Sequence, residues 1–321
     1  MLRFLTHRLT RLPLAILGVH FLGFAYALWG RWFQTTQNPF FVAPPSPPNV
    51  WPDYAQYLGG VAQGNWAMMP GSRTDDVLET LTRGAQASLG LLGIAFGLAL
   101  AAGLLLGLLA VRASPPGVRG WLIPLSSLSL SMPSFYIGAV ILTITIYYLL
   151  FLAPKGSKLL LPLRGYGWDA HLILPVLVLS ARPAMQIAQV AATTLAEELR
   201  KQYATASRSL GHSWMRLRWR TALKNAWPTI IITAGNALRW LMVELVVVEW
   251  LFGWPGLGSL LAAALVRPQI ATIGAAATAL PAGYLFPPIV AATLASFAAL
   301  FWLADLVSAA LVRWLDPRLM E

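Results

Sequence analysis

The stretch Tyr203-Ala204-Thr205-Ala206-Ser207-Arg208-Ser209-Leu210-Gly211-His212-Ser213-Trp214 decides how this chain is read. It runs on through Arg216, Arg218 and Arg220 to Lys224-Asn225-Ala226-Trp227-Pro228, and it is basic in a chain that is otherwise apolar. Tyr203, Ala206 and Leu210 recur at helical spacing and predict a short helix with one apolar stripe, with Arg208 off it. Gly211 is a natural stop for that helix, and Ser213 a natural N-cap for the next. Pro228 then marks the start of a long apolar run. Helix, glycine turn, helix and proline, set between two apolar runs, describe a stiff basic loop between membrane spans, built to dock a partner and carry force.

Working outward, 57% of the 321 residues are hydrophobic and only 11% charged, and several apolar runs approach the roughly 20 residues that a bilayer core demands. The expected fold class is therefore an all-α polytopic membrane protein. Six spans are read at Leu12–Leu28, Ala85–Val111, Trp121–Leu152, His171–Ala196, Thr229–Leu251 and Ile289–Val312. An even count puts both termini on one side. Of the 23 Lys and Arg residues, fourteen fall on the terminal side, seven on the other, and Arg182 and Arg239 lie inside spans, so both termini are expected in the cytoplasm.

The net charge of +11 raises nucleic acid as a partner, but the bases sit in short loops beside spans and no stacking platform of aromatic and basic residues accompanies them. Membrane lipid is the expected surrounding, and nucleic acid is not an expected partner. With no cysteine there is no disulfide and no thiolate site, and His7, His20, His171 and His212 are too scattered for metal ligation. There is no Gly-x-x-x-x-Gly-Lys-Ser/Thr phosphate loop, so no cofactor is expected in this chain. A membrane-embedded enzyme would need a zinc helix, a nucleophile elbow or paired catalytic aspartates, and none is found.

The organisation follows from the spans. Residues 1–30 are an N-terminal tail and first span. Their basic head, apolar stretch and Ala25-Tyr26-Ala27 mimic a signal peptide, but further spans make a removable signal unnecessary. Residues 31–84 form an extracytoplasmic loop, stiffened by Pro44-Pro45-Ser46-Pro47-Pro48 and holding a short amphipathic helix on which Tyr54, Tyr57, Leu58 and Val61 share a face. That helix lies on the outer bilayer surface or packs on the span ends. Residues 85–312 form a core of five spans with the basic loop at 197–228, and 313–321 a cytoplasmic tail. Ala271–Phe286, short and interrupted by prolines, reads as external or re-entrant. Gly103 and Gly107 fit a close-packing helix seam, and Gly253–Gly258 a turn.

A charge inside a span costs about 2.5–3.5 kcal/mol on insertion scales, so Arg182 and Arg239 each require a partner or water. Glu244 lies five residues outward of Arg239, and Asp305 lies in the sixth span. With Trp240 these residues either line a polar translocation path or gate, or pair across helices for structural reasons alone.

The 203–214 segment resembles the cytoplasmic loop of type I ABC importer permeases, whose motif is Glu-Ala-Ala, three residues, then Gly. Here the triplet is Thr205-Ala206-Ser207, with Gly211 in register and the glutamate missing. Other stretches resemble the dipeptide and oligopeptide branch. They are Gln56-Tyr57-Leu58-Gly59-Gly60, Ser131-Met132-Pro133-Ser134-Phe135, Val246-Val247-Val248-Glu249 leading to Phe252-Gly253-Trp254-Pro255-Gly256-Leu257-Gly258, Asp305-Leu306 and Leu315-Asp316-Pro317-Arg318. Arg239, Trp240 and Glu244 depart from the small residues common in that family. The resemblance implies a six-span permease of the bacterial inner membrane that works with a second related permease in a heterodimer, two cytoplasmic ATPase subunits holding ATP and Mg, and an extracytoplasmic solute-binding protein. Coupling to the ATPases would run through Tyr203, Thr205, Ala206, Ser207, Arg208, Gly211 and Trp214. A channel without ATP coupling is the alternative, and it leaves the stiff basic loop unexplained.

Overall fold

The computed structural model describes residues 2–36, 46–70, 75–154, 161–266 and 283–315. The helices are α1 (Leu2–Thr36), α2 (Val50–Ala62), α3 (Val77–Ala110), α4 (Leu122–Ser131), α5 (Ser134–Tyr147), α6 (Ile173–Glu198), α7 (Gln202–Ser209), α8 (Trp214–Arg216), α9 (Leu223–Phe252), α10 (Leu257–Leu265) and α11 (Pro287–Leu315). Among the described residues, six helical segments are long and apolar enough to cross a membrane: 12–36, 77–110, 134–152, 170–198, 214–252 and 287–310.

Two expectations are corrected. The third apolar run is not one helix across Trp121–Leu152, because Met132 is extended and Pro133, which has no N–H to donate, separates α4 from α5. The fifth span does not open at Pro228: helical structure is continuous from Trp214 to Phe252, with a π-helical turn at Leu217–Ala222 and Pro228 inside it. The structure is all-helical as expected apart from a small hairpin between α3 and α4, in which β1 (Val111–Ala113) pairs antiparallel with β2 (Pro116–Val118). Residues 271–282 of the stretch read as external or re-entrant lie outside the described residues, as do 316–321 of the tail.

The chain divides into two compact units, 1–89 with 254–302 and 90–253 with 303–321. In the first unit, α2 lies against the middle of α1. Tyr54 is buried, its hydroxyl 3.0 Å from His20 Nδ1, and its ring meets Phe21 and Phe24 edge-on. Burial pushes the Tyr57 phenol up to about 12, the neighbouring Tyr54 adding to the shift. Trp254, just past the Gly253 turn, is fully buried and donates its indole N–H to the Ala87 carbonyl at 3.0 Å. One turn on, the Leu257 N–H donates to Ser88 Oγ at 2.8 Å and so satisfies one of the free donors at the start of α10.

The second unit is organised around α6 and α9, which pack together and bury many small residues: Ala184, Ala188, Ala191 and Ala192 on one, Ala226, Ala234 and Ala237 on the other. Small residues let helix backbones approach closely where lipid removes any hydrophobic drive between helices. Gly103 and Gly107 of α3 use the same device against α6. A Cβ at Gly103 would stand 2.8 Å from the Ala184 carbonyl oxygen, and one at Gly107 2.8 Å from Ala191 Cβ. The seam is intramolecular helix packing.

Candidate functional site: the basic loop and the intramembrane ion pairs

The loop begins where α6 ends. α7 closes with Gly211 in the left-handed region at φ +84, where glycine carries no Cβ penalty. The Gly211 N–H donates to the Arg208 carbonyl at 2.9 Å and the His212 N–H to the Ser207 carbonyl at 3.1 Å, the paired bonds of a Schellman cap. Ser213 Oγ then accepts from the Arg216 N–H at 3.3 Å and caps the next helix. The Arg208 guanidinium sits 4.3 Å from the centre of the Trp214 ring, joining the two sides of the turn by a cation–π contact. The turn is thus fixed by backbone, side-chain cap and aromatic stacking together.

The apolar stripe is not the one that spacing predicts. Ala204 is the buried residue of α7, with Tyr203 and Ser207 half-buried beside it, while Thr205, Ala206, Arg208, Ser209 and Leu210 face outward. Ala204 packs into a cluster with Leu195, Leu199, Leu217 and Ala226, which fastens α7 to α6 and to the helix that continues into α9. The helix forms where the spacing predicts it but is rotated about its axis, with Ala204 in the core position that the spacing assigns to Ala206. Leu210, at 78% exposure, together with Met215 and Trp219, presents an apolar outer face flanked by arginines.

Sequence reasoning missed the group that anchors this loop. Glu198, the last residue of α6, is buried. Its carboxylate accepts from the Tyr203 hydroxyl at 2.7 Å and from Asn225 Nδ2 at 3.1 Å, and it pairs with the Lys201 ammonium. One carboxylate therefore ties α6, α7 and α9 together. Burial, and then the bond to Glu198, pushes the Tyr203 phenol up to about 12. A signal was present: Glu197 and Glu198 are the only acidic residues between Asp169 and Glu244. Arg218 has a second fixing role, its two terminal nitrogens donating to the carbonyls of Leu108 at 3.3 Å and Val111 at 3.0 Å at the end of α3.

Within the spans, Arg239 and Glu244 do not pair with each other. Five residues is about 1.4 turns, which sends the two side chains to different neighbours. Glu244 is buried and accepts from Arg182 of α6 at 2.8 Å, and the Arg182 guanidinium also lies 4.8 Å from the centre of the Trp240 ring. Arg239 donates to Asp305 of α11 at 2.5 Å and to Asn236 one turn earlier on its own helix. All five residues named from the sequence as path or gate thus fall into two charge-neutral groups carried by α6, α9 and α11. Each arginine has the partner that its depth in an apolar helix requires.

Six helical segments long and apolar enough to cross a membrane, with paired charges within them and a basic loop fixed between two of them, define a polytopic membrane protein. Residues 99–321 match the family described as the inner membrane component of binding-protein-dependent transport systems, and the chain belongs to that family. It is similar to the dipeptide transport system permease protein DppB of Escherichia coli K12, 28% identical over 240 residues, covering 68% of this chain and 70% of that one. The di/tripeptide transport system permease protein DppB of Pseudomonas aeruginosa is 29% identical over 238 residues with the same coverage. The peptide transport system permease protein SapB of Salmonella typhimurium is 27% identical over 205 residues, covering 57% of this chain and 64% of that one. The protein is accordingly the permease subunit of a binding-protein-dependent ABC importer, a multi-pass inner membrane protein that is not itself an enzyme and that works with ATPase and binding-protein partners. The channel reading is set aside.

Proposed function

We propose that this permease forms half of the translocation path of a peptide importer. It pairs with a second related permease, receives peptide from an extracytoplasmic binding protein, and is driven by two cytoplasmic subunits that hydrolyse ATP with Mg. Both termini and the 197–228 loop lie in the cytoplasm, 31–84 outside it, and 85–312 form the permease core between the first span and the tail at 313–321. The peptide assignment rests on what the similar permeases of E. coli, P. aeruginosa and S. typhimurium are named for transporting.

The observation that carries the mechanism is the anchoring of α7 at both ends. The Glu198 carboxylate holds Tyr203, and the Gly211 turn with the Arg208–Trp214 contact holds the other end. A displacement of the outward face (Thr205, Ala206, Arg208, Leu210) therefore reaches α6 and α9 as rigid levers instead of dissipating in a flexible loop. α6 and α9 also carry Arg182, Glu244, Trp240 and Arg239, so the motion that the loop receives is delivered to the charged groups within the membrane. These groups, with Asp305, line or gate the path.

The testing experiment reconstitutes the four-subunit importer with its binding protein in vesicles and measures ATP-dependent uptake of labelled di- and tripeptides. Saturable uptake that requires ATP inside the vesicle is expected. Uptake that persists without the ATPase subunits, or transport of another solute in place of peptides, overturns the reading. Alanine at Arg239 or Glu244 in correctly inserted complexes tests the path: unchanged uptake and substrate range count against it.

A further inference from the structure

The β1–β2 hairpin gathers arginines that the transport mechanism does not use. Arg112 of β1 stands opposite Gly117 of β2 in the register. Arg200, just past α6, donates from Nε to the Pro116 carbonyl at 3.2 Å. Both guanidinium groups close over the same point: a Cβ built on Gly117 would lie 3.5 Å from one Arg112 nitrogen and 3.7 Å from one Arg200 nitrogen. Arg119 follows directly, its N–H bonded to the Ala110 carbonyl at 2.7 Å, so a third cation leaves the base of the hairpin. Among the described residues every ion pair lies elsewhere, and no carboxylate meets Arg112, Arg119 or Arg200. Like charges held this close without a counter-ion leave room for an anion.

The depth of the hairpin says which anion. It joins the apolar α3 to the apolar α4, and α4 turns Ile123, Leu125 and Leu128 outward, with Trp121 at its start 40% exposed. Exposed aliphatic side chains beside an exposed tryptophan and a cluster of arginines are what the boundary between acyl chains and head groups selects. Arg218 ties the start of the hairpin to the end of α3 through the Leu108 and Val111 carbonyls, so the backbone that carries Arg112 is fixed before any ligand arrives, while the three guanidinium groups remain exposed to one.

We propose that Arg112, Arg119 and Arg200 form a binding site for the head group of an anionic phospholipid, its phosphate held between Arg112 and Arg200 above Gly117 and its acyl chains lying along α4. The inference rests on the cytoplasmic orientation of this end, which places the site in the inner leaflet.

The test titrates the purified importer complex, stripped of lipid in uncharged detergent, with phosphatidylglycerol or phosphatidylcholine, and counts retained lipids by native mass spectrometry. The intact complex should retain phosphatidylglycerol in preference, and Arg112→Gln should lower that retention about five-fold, the factor expected for losing one basic residue at an anionic surface. Gly117→Asp should abolish the preference by setting an internal carboxylate between the two guanidinium groups, whereas Gly117→Asn, of the same shape and uncharged, should keep it. Equal retention of both lipids by the intact complex, or a Gly117→Asp complex that behaves like the parent, overturns the site. Loss of the ATPase subunits from Arg112→Gln with lipid retention unchanged also overturns it, by showing that the cluster docks protein. Orientation is read separately: because the chain has no cysteine, Ser114→Cys is labelled alone, and its reaction with an impermeant reagent from outside the cell would defeat the leaflet assignment whatever the titration gives.

Discussion

The Tyr203 hydroxyl donates to the Glu198 carboxylate at 2.7 Å, joining the loop helix α7 to α6, the span that precedes it. Glu198 is buried and has Lys201 and Asn225 as its other partners, so its removal leaves several donors without an acceptor. An unsatisfied buried polar group costs about 1–3 kcal/mol. Glu198→Ala should lower the melting temperature of the complex and raise the ATP consumed per peptide imported. Glu198→Gln, which keeps an acceptor, should restore much of both. Normal stoichiometry in Glu198→Ala at full insertion would show that the anchor is not part of the lever.

The Tyr203 phenol gives this anchor a pH dependence. Its folded value, raised to about 12 by burial and by Glu198, lies above the ordinary value of 10, so the stabilisation is complete below pH 10 and is lost as pH rises toward 12. The difference in tyrosinate absorbance between the intact protein and Tyr203→Phe should therefore titrate near 12. A midpoint near 10 would mean that the hydroxyl is not held in this way.

Gly211 has a positive φ and supplies an N–H to the turn. Gly211→Ala should cost about 1 kcal/mol from the left-handed backbone alone. Gly211→Pro removes the donor as well and fixes φ on the wrong side. Its expected result is ATP turnover no longer matched by uptake, with insertion intact, measured in the same vesicles. Unchanged coupling would remove α7 from the path of force.

The Arg182–Glu244 pair has a signature distinct from that of an exposed ion pair. Truncating one partner of a buried pair costs about 3–5 kcal/mol, because it strands the other charge, whereas removing both costs far less. Arg182→Ala and Glu244→Ala should each reduce the amount of folded permease in the membrane, and Arg182→Leu with Glu244→Leu should recover it. Uptake by that recovered double variant then separates structure from transport: loss of uptake assigns the pair to the path.

Gly107 tests the packing. A side chain there meets Ala191 and the Ala188 carbonyl at under 3 Å, so Gly107→Val should destabilise by about 1–3 kcal/mol through overpacking. Thermal unfolding in detergent measures this, and the neighbouring Gly97, which has open space around its Cβ position, supplies a control in Gly97→Val.

Composition and run length were enough to fix the membrane class and the number of crossings, because a bilayer imposes one strong requirement, about 20 apolar residues per helix, that needs no knowledge of the neighbours. The glycine turn at 211 and the cap at Ser213 were legible for a similar reason, since both are local backbone chemistry. Where the helices break was less legible. Trp121–Leu152 carries no charged residue along its length, and it is divided at Met132-Pro133, while Pro228, a breaker by the same rule, is carried inside a continuous helix. Pairing was beyond the sequence altogether. Arg239 and Glu244 are neighbours along the chain, yet each is claimed by a residue more than sixty positions away, Asp305 and Arg182. Likewise, whether Ala204 or Ala206 of α7 turns inward depends on the surfaces of α6 and α9 beneath it. Spacing gives a helix its faces, but which face meets which neighbour depends on contacts between segments distant in the chain.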